Sequence, residues 1–128
     1  MRFVATTIYV DDVDDTLDFF VKAFGFPVQR RSDSGQYGEL ATGDTLLAFS
    51  SHAAARGHIG VAYSKAQEGL PPLGLEIAFA TGDVEGAVDR ALRAGASIVR
   101  EIETKPWGQQ VAVVASPDNT LIFICTPM

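Results

Sequence analysis

At 128 residues with 47% apolar side chains, the chain is the size of one domain and can bury a substantial core. Its net charge of −6 excludes a nucleic-acid binder that works through a basic face. No apolar run approaches the roughly 20 residues that span a bilayer, and the single cysteine, Cys125, excludes an internal disulfide. The start, MRFVATTIYVDD, enters a strand pattern directly and lacks a signal peptide's apolar core, so a cytoplasmic location is the expectation.

Residues 2–10 alternate as a strand, with Val4, Thr6, Ile8 and Val10 on one face and Phe3, Ala5, Thr7 and Tyr9 on the other. Asp12 then suits the N-cap of an amphipathic helix that stops at Gly25. Val13, Leu17, Phe20, Val21 and Phe24 form its expected apolar stripe. Three further strands are expected at 27–31, 36–41 and 45–50, separated by the turns Ser32-Asp33-Ser34-Gly35 and Gly43-Asp44. The order is β-α-β-β-β.

Residues 51–72 have weak periodicity and carry Gly57, Gly60, Gly69, Pro71 and Pro72, which reads as a long linker with room for a short helix over 51–55. The second half then repeats the first. Asp12-Val13 matches Asp83-Val84, Thr16-Leu17-Asp18 matches Ala87-Val88-Asp89, and Gly25 matches Gly95, with the register slipping by one. Strand 73–80, a helix over 83–94 with Val84, Ala87, Val88 and Leu92 inward, a strand that starts over 97–100 and a hairpin of 109–115 and 120–126 complete a second β-α-β-β-β unit. The expected organisation is one α+β domain, 1–128, made of repeat units 1–50 and 73–128 joined by the linker 51–72. Acidic residues concentrate at the two helix starts, where they serve either as caps and a solvated face or as a field that steers cations.

The start VDDVDDTLDFFVKAFGF, the duplicated unit, the KPWGQ segment at 105–109 and the SPDN hairpin followed by LIFICTPM together resemble the vicinal oxygen chelate superfamily. That superfamily includes glyoxalase I, extradiol dioxygenases and bleomycin-resistance proteins. The resemblance implies two paired units whose eight strands curve around a cleft, often in a homodimer. It also implies that metal-dependent members place their ligands at the positions of Ala5, Ala48, Glu76 and Phe123. Of these only Glu76 has a ligand atom, and a tight divalent site needs about three protein ligands. The expectation is therefore no metal and no cofactor. Glu76 is left either as a solvated or salt-bridged strand residue or as a carboxylate that orients a ligand's cationic group.

Tyr9, Tyr37, Trp107 and Phe123 are the aromatic candidates for a ligand wall, and Glu39 shares a strand face with Tyr37 and offers a second carboxylate. His52 and His58 read as exposed loop histidines, since their spacing matches no metal motif. Cys125 reads as packing and not as a nucleophile. The functional expectation is a small-molecule binder of the bleomycin-resistance type, with Glu39 and Glu76 favouring a cationic, aromatic ligand. The alternative is a lyase, isomerase or dioxygenase with an altered ligand set. Expected partners are a small molecule and a second copy of the chain, with no nucleic acid and no membrane.

Overall fold

Two aspartates begin the two long helices, and both do so by the same local bond. Asp12 accepts from the Asp15 backbone N–H at 2.9 Å and opens α1 (Val13–Phe24). Asp83 accepts from the Gly86 N–H at 2.9 Å and opens α3 (Val84–Arg93). Each cap satisfies an N–H that the helix leaves free. Gly25, at φ 75°, closes α1 by donating its N–H to the Val21 carbonyl.

The computed structural model describes residues 1–128, and the chain forms two units, 1–21 with 25–65 and 22–24 with 66–128. In the first unit β1 (Ala5–Val10), β2 (Val28–Arg31), β3 (Tyr37–Leu40) and β4 (Leu46–Ser51) make a sheet in the order β1-β4-β3-β2, with β1 parallel to β4. In the second, β5 (Glu76–Ala80), β6 (Ser97–Thr104), β7 (Gln110–Ala115) and β8 (Leu121–Cys125) follow the order β5-β8-β7-β6, with β5 parallel to β8. The α+β class and the doubled β-α-β-β-β order are as expected. No helix is long and apolar enough to cross a membrane.

The buried face of α1 is turned somewhat from the expected stripe. Val13, Leu17 and Phe20 are buried, but Val21 is exposed, and Thr16, Phe19 and Ala23 are buried in addition. Thr16 can go inside because its hydroxyl donates to the Asp12 carbonyl at 2.8 Å, so no polar group is orphaned. In α3, likewise, Leu92 is exposed, and Ala91 joins Val84, Ala87 and Val88 inside. Two strands are shorter than their alternation suggests. The β1 ladder starts at Ala5, and β5 starts at Glu76 because Leu75 donates its N–H back to the Leu73 carbonyl in a tight turn. β6 starts at Ser97 as expected and runs to Thr104.

The segment expected to be a linker is partly helical. Ser51 accepts from the Ala54 N–H at 3.1 Å and starts α2 (His52–Ile59), which Gly60 ends at φ 69°. Residues 66–72 are tied down within the second unit, where the Asn119 amide donates to the Gln67 and Leu70 carbonyls at 3.1 and 2.7 Å.

Gly38 allows α1 to lie close on the first sheet. A Cβ there would stand 2.6 Å from Leu17 Cδ1 and 3.2 Å from Val13 Cγ1. Gly38→Ala is expected to lower the unfolding free energy by about 1 kcal/mol, at the low end for overpacking because a leucine methyl can swing aside. Urea denaturation that leaves the midpoint unchanged would show the helix is not seated on this strand.

Candidate functional site

Strand pairing gathers the polar residues of the first unit on the sheet face opposite α1. Thr7 pairs with Ala48, Ala48 with Glu39, and Glu39 with Arg30. One pair further along, Tyr9, Ser50 and Tyr37 are aligned. Period-two alternation puts both rows on one face, because Gly38, between Tyr37 and Glu39, lies against α1. A β-bulge between Val28 and Arg30 shifts β2 so that Gln29 also reaches Glu39.

Glu39 is only 9% exposed. Its Oε2 accepts from the Tyr37 hydroxyl at 2.7 Å, and its Oε1 has a longer 3.4 Å contact from the Gln29 amide. The Arg30 guanidinium lies over the Tyr37 ring, 5.6 Å from its centroid, and forms no ion pair with Glu39. A buried carboxylate with neutral partners only is costly. Burial first, and then the hydrogen bond and the negative charge of Glu39, push the Tyr37 hydroxyl up to about 12, against a smaller opposing effect of Arg30.

The remaining sequence candidates are distributed over both units. Ala5 and Ala48 share the face of Glu39, in different rows. Glu76 is exposed at the start of β5, in no ion pair, and Phe123 is half-buried on β8 on the same face of the second sheet. Around it stand Ala78, Val113 and Leu121, so this face is mainly apolar. Cys125 is half-buried in the same sheet. Trp107 is 64% exposed in the turn between β6 and β7, its indole N–H donating to Gln109 Oε1 at 3.0 Å.

His52 differs from its expected place. It is 6% exposed, with Nδ1 2.7 Å from the Tyr63 hydroxyl and Nε2 3.4 Å from Asp11 Oδ1. The imidazole stacks on the Tyr63 ring at 5.8 Å, and that ring meets Tyr9 at 5.1 Å. Ser51 as an N-cap was the signal for it, since a helix started there turns His52 and Ala55 to one side. His58 is exposed, as expected.

The family model described as Glyoxalase/Bleomycin resistance protein/Dioxygenase superfamily matches residues 2–124. The chain belongs to that superfamily. A Mycobacterium bovis relative, itself uncharacterized, is 30% identical over 116 residues, which is 86% of this chain and 73% of the relative. Among solved structures, a glyoxalase-related enzyme from Fulvimarina pelagi superposes with a TM-score of 0.86 at 19% identity, covering 99% of this chain and 88% of the other. A glyoxalase/bleomycin resistance protein/dioxygenase family enzyme from Burkholderia phytofirmans PsJN gives 0.79 at 20% identity, with both chains fully covered.

Within the superfamily, metal chemistry needs a donor set, and the residues here do not fit one. Of the four expected positions, three hold Ala5, Ala48 and Phe123, none with a donor atom. Nowhere in the chain do three His, Cys, Asp or Glu side chains converge as a metal site.

The Tyr37–Glu39 pair makes a titration testable. Tyr37 keeps its proton in the fold where the unfolded chain, near pH 10, has lost it. Its contribution to stability is thus fully present below about pH 10 and is lost as pH rises towards 12. Absorbance at 295 nm, with circular dichroism reporting folding, should show a step near pH 12 that Tyr37→Phe removes. A Tyr37→Phe difference spectrum complete by pH 10 in folded protein would contradict the pairing.

Proposed function

We propose that the protein is a metal-independent small-molecule binder of the bleomycin-resistance type, acting in the cytoplasm. In this reading it sequesters a cationic, aromatic ligand and does not change it covalently. The observation that carries it is Glu39, a buried carboxylate on the sheet face opposite α1 that forms no ion pair. A ligand ammonium or amidinium supplies the missing partner. Tyr37 occupies Oε2 and leaves Oε1, with its long amide contact, to accept from the ligand. The Tyr37 ring stands beside it with the Arg30 guanidinium over one face, and a planar cation would take the other.

Calorimetric titration with planar aromatic cations and cationic glycopeptides, beside neutral analogues, tests this. The expected result is saturable binding of cations, weaker binding of the neutral analogues, and recovery of the compound unchanged. Turnover of a bound compound, or near-stoichiometric zinc, nickel, iron or manganese in the purified protein, would overturn it in favour of an enzyme. The same reading makes the protein a homodimer. Exposed Phe3, Val4 and Leu75 support this, since large apolar residues left in water favour association. A monomer mass by light scattering at micromolar concentration would count against it.

A further inference from the structure

A second site lies in the first unit, at the end of α2 and the loop after it. We infer that this cavity binds a small organic anion with an aromatic or apolar body. The cavity, about 450 Å³, is lined by Arg56, Gly60, Val61, Ala62, Tyr63 and Lys65. That volume falls within the range of small-molecule sites. Its lining contains two cations and no carboxylate, in a chain whose net charge is −6.

Neither Arg56 nor Lys65 is in an ion pair. Arg56 sits in the last turn of α2, where a cation complements the helix dipole. Lys65 is off the helix, and that effect does not account for it. Two unpaired cations on one concave surface attract an anion, and the guanidinium can hold a carboxylate or phosphate with two hydrogen bonds.

The rest of the lining selects the body of the ligand. Val61 is exposed to solvent beside the charges, and a ligand's apolar surface would cover it. Tyr63 supplies an aromatic wall whose position is fixed on its far side. Its hydroxyl is held by buried His52, and its ring is held between the His52 imidazole and Tyr9. A wall held from behind loses little freedom when a ligand lies against it. The site is chemically opposite to the Glu39 face, so the two would take ligands of opposite charge.

The test is calorimetric titration of the full chain with 2-naphthoate and 2-naphthyl phosphate, beside neutral 2-naphthamide. One anion should bind saturably at one site per chain, and the amide at least tenfold more weakly. The double variant Arg56→Gln/Lys65→Gln should weaken anion binding at least tenfold. Both side chains are exposed, so the melting temperature should hold and confirm that the variant is folded. Absence of saturation at millimolar anion, or a folded double variant that binds the anion like wild type, would overturn the inference.

Discussion

Phe20→Ala lowers the free energy of unfolding by about 3–5 kcal/mol, the cost of truncating a large ring in a packed core. Phe20 is 1% exposed, with the Phe19 ring edge-on at 5.1 Å and the Phe49 ring also at 5.1 Å. It thus joins α1 to β4. Removing it leaves a cavity lined by aromatic carbons that cannot collapse while the α1 cap and the β4 ladder hold the backbone in place. Phe20→Leu should cost much less, because most of the volume stays. Equilibrium urea denaturation measures both, and a loss under 1 kcal/mol for the alanine variant would show that α1 does not rely on this ring. Ala48 is the neighbour of Phe49 on β4 and faces the other way, so the polar face rests on the same strand.

If the proposed function holds, Glu39→Gln should weaken the binding of cationic ligands by about 1–3 kcal/mol, the range of a charge-assisted hydrogen bond. In affinity this is roughly 5- to 150-fold. Neutral analogues should lose much less, because glutamine retains the size and an acceptor for the Tyr37 hydroxyl. Stability should change little or rise, since the variant removes a buried charge that forms no ion pair. The Tyr37 hydroxyl should also ionise at lower pH, though not at the free value. Burial is the first cause of its shift and remains, while the hydrogen bond to a carboxylate and its charge are gone. Unchanged discrimination between cationic and neutral ligands, together with a large fall in melting temperature, would make Glu39 a structural residue.

The elements that local chemistry determines were legible in the sequence. Asp12, Asp83 and Gly25 act within three or four residues of themselves, so spacing was enough to place them. The doubled unit followed from matching those same signals. The site was legible only in part, because burial depends on register and not on pattern. Glu76 drew attention through the resemblance, yet it lies exposed at a strand start. Glu39 could be placed beside Tyr37 by alternation, but nothing in the sequence told that a bulge in β2 would bring Gln29 to it. His52 reads as exposed in the sequence because weak periodicity conceals a helix only eight residues long. The outward turn of Val21 and Leu92 was hidden because both helices keep apolar residues on more than one side, and packing chooses among them.

The strand pairing within each sheet lets equivalent positions be matched without reference to any other protein. Glu39 lies opposite Ala48, and Val113 lies opposite Phe123; Tyr37 lies opposite Ser50, and Val111 lies opposite Cys125. One copy of the duplicated unit therefore carries a tyrosine and a glutamate where the other carries two valines. The caps that start the helices stayed alike while these positions diverged. The same strand framework accepts a polar set of side chains in one unit and an apolar set in the other. Exchanging these residues between the two units should therefore carry the polar face of the first sheet to the second while the ladders and helix caps stay in place.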